Sequence, residues 1–216
     1  MDPDSPDLAS LRAEYQLAGL DESDLAADPF TMFRSWFDAV RTAGVLEPNA
    51  MVLSTVSGDG RPSARTVLLK GLTDDGFVFF TNYESRKAAE LEANPHCCLL
   101  FGWYQLQRQV RVEGTAARIA RSETEAYFAS RPRDSQLGAW ASRQSAVVGS
   151  RSDLDTAYAE AEARFAGSDV PAPPHWGGFL VRPHRVEFWQ GRTSRMHDRL
   201  AYRCEGTRWV VERLAP

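Results

Sequence analysis

The sequence is short of cysteine and of long apolar runs. It has 216 residues but only three cysteines, and an odd number without a disulfide framework is typical of a reducing compartment. No apolar run approaches the roughly 20 residues that a helix needs to cross a bilayer. The opening decapeptide MDPDSPDLAS is acidic and lacks the apolar core of a signal peptide. We therefore expect a cytoplasmic protein with no membrane partner.

Familiar chemical signatures are also scarce. The sequence has no Gly-rich dinucleotide fingerprint, no GxxxxGKS/T phosphate loop and no GxSxG elbow. Its four histidines and three cysteines lack the paired spacing of metal ligands, so no metal site is predicted. The formal net charge of -4 gives no reason to expect nucleic acid as a partner. These absences argue against a side-chain nucleophile and favour a bound cofactor that carries the difficult chemical step.

What the sequence does contain is a series of short apolar strands. The runs AMVLSTV, FVFFTN and CCLLFGWY are separated by turn signals such as Asp-Gly, a pattern typical of antiparallel hairpins. Strands return near the C-terminus in GGFLVRPHRVEFWQG, RLAYRCEG and TRWVVERL. The length suits one sizeable core. We therefore predict a single α+β domain over residues 1–216, built on an antiparallel β-barrel with surrounding helices.

Four helices are predicted from capping residues and helix breakers. In chain order, the first predicted helix is bounded by Asp28 and Gly44, the second by Ser85 and Pro95, the third by the Ser122–Glu125 capping box and Pro132, and the fourth by Ser152 and Gly167. On the third helix, Tyr127 and Arg131 are four residues apart and are predicted to share a face, with Ser135 just past the helix end. These three side chains can form a phosphate cradle; alternatively, the arginine merely suits an exposed helix C-terminus.

Two further basic clusters lie beside predicted strands. In TNYESRK, Arg86 and Lys87 occupy the first turn of a helix, where cations oppose the helix dipole unless an anion binds there. In ARTVLLKGL, Arg65 and Lys70 place charge on opposite faces of an apolar strand, and buried charges need partners. A phosphate would satisfy the first cluster. The alternative for both clusters is that the side chains lie in water at the ends of their elements.

The segment EFWQGRTSRMHDRLAYR carries the fourth cluster. Strand alternation predicts that Arg195, His197 and Arg199 share one face with Trp189, without an acid among them. Such a face indicates an anionic or electron-rich ligand; the alternative is a solvent-facing strand of mixed charge. Arg192 lies off that alternation and is predicted to be a surface charge.

From LRAEY to the terminal ERLAP, the sequence resembles the pyridoxamine 5′-phosphate oxidase family. The blocks that carry the resemblance are RTVLLK, FTNYESRK, SRPRDSQLGAWAS, WGGF and EFWQG, in that order. The resemblance implies an FMN-binding split β-barrel that works as a homodimer, with FMN in clefts between the subunits. It also implies a role in vitamin B6 metabolism: oxygen would oxidise pyridoxamine or pyridoxine 5′-phosphate to pyridoxal 5′-phosphate, with release of hydrogen peroxide (and ammonia from the amine).

The resemblance also assigns site residues. Those that would bind FMN are Arg65, Thr66, Val67, Leu68, Leu69, Lys70, Phe80, Thr81, Arg86, Lys87, Gln109, Gln144, Ser145, Trp189 and Arg199. Those that would bind the substrate are Lys70, Tyr127, Arg131, Ser135, Arg195, Met196 and His197, with Arg12 and Tyr15 in a flexible N-terminal segment, residues 1–27, that would act as a lid. Among these, Arg195 and His197 would position and polarise the substrate, and His197 could accept a proton.

Two alternatives stay open beside this interpretation. One is another flavin or deazaflavin split-barrel oxidoreductase, such as a phenazine-pathway oxidase. The other is a non-catalytic protein that binds a flavin or pyridoxal phosphate. Turnover of the phosphorylated amine with consumption of oxygen separates the first interpretation from both.

Overall fold

The computed structural model describes residues 19–216, so Arg12 and Tyr15 of the predicted lid lie outside the described residues. Within that range are five α-helices: α1 (Pro29–Thr42), α2 (Arg86–Ala93), α3 (Arg121–Ala129), α4 (Arg133–Ala141) and α5 (Arg151–Arg164). The strands of the same range are β1 (Ala50–Val56), β2 (Pro62–Leu68), β3 (Gly71–Leu72), β4 (Phe77–Asn82), β5 (His96–Trp103), β6 (Arg108–Arg118), β7 (Trp176–Gln190), β8 (Asp198–Glu205) and β9 (Arg208–Arg213). Residues 19–216 include no helix that is both long and apolar enough to span a membrane.

The chain divides into two compact units. Unit 1 comprises the described part of Met1–Pro48 together with Gly102–Val110 and Val186–Pro216, and unit 2 comprises Asn49–Phe101 and Arg111–Arg185. Strands β5, β6 and β7 each contribute residues to both units. The prediction of a single domain over residues 1–216 stays a prediction.

Unit 2 is organised by an antiparallel sheet. The strand order is β2-β1-β5-β6-β7-β4-β3, and the pairs β1–β2, β1–β5, β3–β4 and β4–β7 are antiparallel. The predicted hairpins β1–β2 and β3–β4 are therefore present. However, β4 pairs with the distant β7, so the strands do not follow one another as a simple meander. The core of this sheet includes Phe77, Phe79, Leu99 and Phe101, which are fully buried.

Unit 1 packs the amphipathic helix α1 through its aromatic stripe. The Asp28 side chain accepts hydrogen bonds from the backbone N–H groups of Phe30 and Thr31, both at 2.9 Å, which confirms the predicted N-cap. The Trp36 ring meets the ring of Phe188 on β7 edge-on at 5.2 Å. In the same unit, β8 and β9 form an antiparallel hairpin. The stripe is buried, and its helical spacing is that of a core-facing helix.

Two predicted helix starts are each wrong by two residues. Helix α3 begins at Arg121, because the backbone N–H of Ala120 donates to the carboxylate of Glu123 at 3.2 Å. The Ser122–Glu125 capping box is therefore not used. Helix α5 is capped by Ser150 and not by Ser152, since the Ser150 hydroxyl accepts from the N–H of Asp153. It ends at Arg164, before the predicted Gly167. At α5 two overlapping serine caps are available, and the pattern alone does not choose between them. At α3 the N-cap Ala120 has no side-chain acceptor, so no capping pattern marks the observed start.

The prediction that Tyr127 and Arg131 share a helix face is also wrong. Helix α3 ends at Ala129, and Arg131 precedes Pro132, a position where the proline ring disfavours helical backbone. Ser135 lies past the end of α3, as predicted, but it falls in the first turn of α4, a helix that the sequence did not predict.

Candidate functional site

A cavity of about 540 Å³ in unit 2 gathers many of the predicted site residues. The predicted residues that line it are residues 65–68, Lys70, Phe80, Thr81, Lys87, Tyr127, Arg131, Ser135 and Gln144. Ser130, Pro132 and Trp176 line it as well and were not predicted. Residues assigned to the flavin and residues assigned to the substrate phosphate therefore share one cavity.

Three predicted residues of unit 2 are not part of that lining. Leu69 is buried in the core with 8% of its surface exposed. Arg86 lies in the first turn of α2 with a largely exposed side chain. Ser145 lies in the loop after α4 and has a left-handed backbone, with φ of 72°. Any ligand contact of these three residues stays a prediction.

Arg65, Arg86, Lys87 and Glu90 form a group that we call the cationic cluster. The Glu90 side chain is only 5% exposed and accepts from Arg65 Nη2 at 3.0 Å and from Arg86 Nε at 2.8 Å. Burial by itself would raise the pKa of Glu90. Hydrogen bonds from Ser63, Thr55, Arg86 and Arg65 outweigh that effect and lower the pKa to about 2. The cationic cluster therefore contains a carboxylate that is charged at neutral pH, and part of the positive charge of the cluster is compensated within the protein.

Lys87 is the buried cation of this cluster. Its Nζ donates to Gln144 Oε1 at 2.6 Å, to Thr81 Oγ1 at 3.2 Å and to Ser85 Oγ at 3.3 Å. Burial and, second, the charge of Arg65 lower the pKa of Lys87 to about 8. Because its described partners are neutral oxygens, a bound anion would stabilise the charged form of this lysine.

A second group, which we call the aromatic cluster, consists of Phe80, Tyr127, Trp176 and Arg131. Phe80 stacks on Tyr127 with ring centroids 3.9 Å apart and on Trp176 at 5.3 Å. The guanidinium of Arg131 lies 4.6 Å from the centroid of the Trp176 ring. Its Nη1 is buried and has no hydrogen-bond partner among residues 19–216. A buried donor without an acceptor is costly, so this atom is suited to an oxygen of an anionic ligand.

In unit 1, the connection between β7 and β8 departs from the predicted strand alternation. Residues Thr193–Arg195 form a short 3-10 turn, and Ser194 and Arg195 both have left-handed backbone, with φ of 56° and 60°. Such residues break an extended strand, so the prediction that Arg195 and His197 alternate along one strand face is wrong. Trp189 and His197 nevertheless meet, with ring centroids 4.6 Å apart.

The same connection fixes the proton position on His197. The backbone N–H of Arg192 donates to Nδ1 of His197 at 3.1 Å. An accepting Nδ1 carries no proton, so a neutral ring carries its proton on Nε2. His197 therefore presents a hydrogen-bond donor at Nε2. Arg195 and Met196 are exposed beside it, and the Arg192 side chain lies 3.7 Å from the carboxylate of Asp198.

Arg199 is held by a buried carboxylate in unit 1. Its Nε and Nη2 donate to the two oxygens of Glu187 at 2.7 and 3.2 Å, and the Glu187 side chain is only 3% exposed. Two parallel bonds fix the plane of the guanidinium. Gln109 lies on β6 and is half-buried. Any contact of Arg199 or Gln109 with a flavin stays a prediction.

Sequence reasoning missed three residues that shape these sites: Glu90, Trp176 and Glu187. The spacing of Arg86 and Glu90, four residues apart on a predicted helix, was a usable signal for an ion pair. No local pattern links Glu90 to Arg65, which lies 25 residues earlier. Within residues 19–216 there is no group of three or more His, Cys, Asp or Glu residues that could hold a metal ion.

Comparison with solved structures first defines the class of protein. PhzG from Burkholderia lata, solved in complex with tetrahydrophenazine-1-carboxylic acid, matches with a TM-score of 0.88 at 30% identity, covering 94% of this chain and all of that chain. A pyridoxamine 5′-phosphate oxidase-related, FMN binding protein from Nostoc punctiforme matches with a TM-score of 0.71 at 17% identity, over 89% of this chain and all of that one. The fold is the split β-barrel with surrounding helices, which confirms the predicted fold class.

Sequence comparison then defines the family. Residues 37–165 match the family model described as pyridoxamine 5′-phosphate oxidase, and residues 176–216 match the C-terminal dimerisation region of pyridoxine 5′-phosphate oxidase. A pyridoxine/pyridoxamine 5′-phosphate oxidase from Rubrobacter xylanophilus is 60% identical over 210 residues, or 97% of each chain. One from Salinispora arenicola is 61% identical over 211 residues, or 96% of each chain. The chain belongs to the pyridoxamine 5′-phosphate oxidase family of oxidoreductases, as its motifs indicated.

Proposed function

We propose that this protein is an FMN-dependent oxidase of pyridoxamine 5′-phosphate and pyridoxine 5′-phosphate in vitamin B6 metabolism. With oxygen as the acceptor, the alcohol gives pyridoxal 5′-phosphate and hydrogen peroxide. The amine also consumes a water molecule and releases ammonia. The names of the relatives support this substrate class. The observation that carries the proposal is a cavity in unit 2 that is lined by Arg65 and Lys87 of the cationic cluster and by all four residues of the aromatic cluster.

In this proposal the cationic cluster binds the FMN phosphate. Arg65, Arg86 and Lys87 supply the positive charge, and Gln144 and Thr81 hold the Lys87 ammonium in place. FMN bound there would supply the redox chemistry, as the hydride acceptor and the link to oxygen. The other proposed FMN contacts are residues 66–70, Phe80, Gln109, Ser145, Trp189 and Arg199.

Lys70, Tyr127, Arg131 and Ser135 bind the substrate phosphate in this proposal. Arg131 can offer its buried Nη1 to a phosphate oxygen, and arginine suits directional contacts of this kind. Stacking against Phe80 limits the movement of Tyr127. Remote binding of the phosphate would fix the position of the reacting carbon, which is a large contribution to catalysis.

Arg195, Met196 and His197 contact the rest of the substrate. Arg195 supplies charge, and His197 donates from Nε2 while its Nδ1 accepts from the backbone. A donor at this position can polarise the substrate. If His197 instead takes up a proton at Nδ1, it loses the hydrogen bond from Arg192.

We further propose a cytoplasmic homodimer in which a second copy completes the FMN cleft. The match of residues 176–216 to a dimerisation region supports the dimer. The N-terminal segment with Arg12 and Tyr15 is assigned as a substrate lid. Light scattering coupled to gel filtration tests the dimer, and a monomeric holoenzyme with full activity would contradict it.

The decisive experiment is turnover by the FMN-loaded protein in air. With pyridoxamine 5′-phosphate as substrate, we expect equal amounts of oxygen consumed and pyridoxal 5′-phosphate formed, together with hydrogen peroxide. A yellow protein that binds the substrate without turnover would indicate a binding protein. A protein that cannot be loaded with FMN would contradict every flavin interpretation.

A phenazine-pathway oxidase is the second candidate, because PhzG shares the fold with a TM-score of 0.88. The relatives that are about 60% identical over the whole chain favour the phosphorylated substrates. Competing the two substrate classes in one assay separates the candidates. Faster turnover of a reduced phenazine carboxylate than of pyridoxamine 5′-phosphate would reverse the assignment.

A further inference from the structure

Glu90 is a buried carboxylate inside a group of cations. Its Oε2 accepts from the hydroxyls of Thr55 at 2.5 Å and Ser63 at 2.6 Å, and from Arg65 Nη2 at 3.0 Å. Its Oε1 accepts from Arg86 Nε at 2.8 Å. Four donors from β1, β2 and α2 therefore converge on one side chain that is 5% exposed.

The geometry of Arg65 depends on this carboxylate. Arg65 Nη1 donates to the backbone oxygen of Leu53 and to Thr55, and Nη2 donates to Ser63 and Glu90. Both terminal nitrogens are thus engaged on the protein side. The hydroxyls of Thr55 and Ser63, which accept hydrogen bonds from Arg65, themselves donate to Glu90. Removal of the carboxylate would therefore disturb three contacts of this guanidinium together.

The Glu90 carboxylate also reduces the electrostatic repulsion among the three cations of the cluster. Arg65, Arg86 and Lys87 would repel one another in a partly buried site. A negative charge among them reduces that repulsion before any anion arrives. An apolar side chain of similar size would fill the same volume but would provide neither the charge nor the acceptors.

We propose that Glu90 is a positioning residue for the flavin phosphate, because it holds Arg65 from the strand and Arg86 from the helix in one fixed arrangement. This inference rests on the proposed function, in which these arginines bind FMN. Glu90 itself repels a phosphate, so it acts only through the two arginines. Its contribution therefore concerns the phosphate and not the isoalloxazine ring.

The test compares FMN with riboflavin, which has the same ring and no phosphate. The dissociation constants of both flavins are measured by fluorescence for the full-length wild-type protein, Glu90→Ala and Glu90→Gln. We expect Glu90→Ala to weaken FMN binding by about tenfold or more, the loss typical of charged hydrogen bonds, with riboflavin binding unchanged. Glu90→Gln is expected to be intermediate, because one amide oxygen can serve Arg65 while Arg86 loses its acceptor.

Glu92→Ala is the matched control, since Glu92 lies on the same helix and pairs with Arg118 at the surface. It should leave both flavin affinities unchanged. Equal affinity of Glu90→Ala and wild type for FMN, or an equal loss for both flavins, would overturn the inference. If Glu90→Ala does not fold, the ratio of FMN affinity to riboflavin affinity is compared between Glu90→Gln and the wild type, and an unchanged ratio would overturn the inference. If the wild-type protein itself binds riboflavin as tightly as FMN, the proposed FMN phosphate site is wrong, which is a distinguishable failure.

Discussion

Two arginines that line the same cavity, Arg65 of the cationic cluster and Arg131 of the aromatic cluster, are held in opposite ways. Arg65 is fixed by hydrogen bonds from both terminal nitrogens, including an ion pair with Glu90. Arg131 is held against the Trp176 ring and keeps a buried donor without a partner in the described chain. The difference indicates that Arg65 contributes an oriented charge, whereas Arg131 offers a direct hydrogen bond. Neither cluster contains a group with an evident role in the oxidation step.

The largest effect on turnover is therefore expected outside both clusters. His197→Ala should lower kcat by roughly a hundredfold or more, in the range of a lost acid–base or polarising group, while FMN stays bound. Stopped-flow reduction of the flavin measures the change in rate, and the flavin absorbance of the purified variant measures how much FMN stays bound. Arg195→Ala should behave alike, and His184→Ala, which changes an exposed histidine on β7, serves as the control. Loss of flavin with normal turnover in the remaining holoenzyme would contradict these roles.

Within the cavity, the largest change should follow from loss of the spare donor in the aromatic cluster. Arg131→Ala should raise KM for pyridoxamine 5′-phosphate by about 10- to 100-fold, equivalent to about 1.5–3 kcal/mol for a charged hydrogen bond. The dissociation constant of FMN should not change, which steady-state kinetics and flavin titration together can establish. Arg131→Lys should recover only part of the loss, because it restores the charge without the planar guanidinium. An unchanged KM would remove Arg131 from the substrate site.

The cationic cluster should respond to pH through Lys87. Its pKa is lowered to about 8, so the side chain is charged below that pH and neutral above it. Arg65 and Glu90, the charged neighbours, keep their charges through this range. FMN affinity should therefore fall above pH 8, by at most about tenfold per pH unit. Riboflavin affinity should stay level, and Lys87→Met should abolish the pH dependence. If riboflavin affinity in the wild type, or FMN affinity in Lys87→Met, falls with pH at the same slope, another group causes the pH dependence.

The smallest effect is expected from the ring beneath Arg131. Trp176→Leu removes a cation–π contact worth about 0.5–1 kcal/mol, so KM should rise by about two- to fivefold. Turnover at saturating substrate should be retained. Trp209→Leu on β9 is the matched control. An effect as large as that of Arg131→Ala would mean that the aromatic cluster collapses as a unit.

The sequence alone predicted most elements of the fold and many residues of the cavity. The cap at Asp28 and the short apolar runs of the strands are local signals, and they were read correctly. The pairing of β4 with β7 and the contact between Arg65 and Glu90 join distant segments, and no local periodicity encodes them. The turn at Ser194 and Arg195 escaped because neither residue is a glycine, the usual signal for left-handed backbone.

A crystal structure of the protein with FMN and pyridoxal 5′-phosphate would show directly which cluster binds which phosphate group. We expect the FMN phosphate to contact Arg65 and Lys87, and the phosphate of pyridoxal 5′-phosphate to contact Arg131 and Ser135. Exchange of the two phosphates between the clusters, or binding of either phosphate outside the cavity, would contradict it.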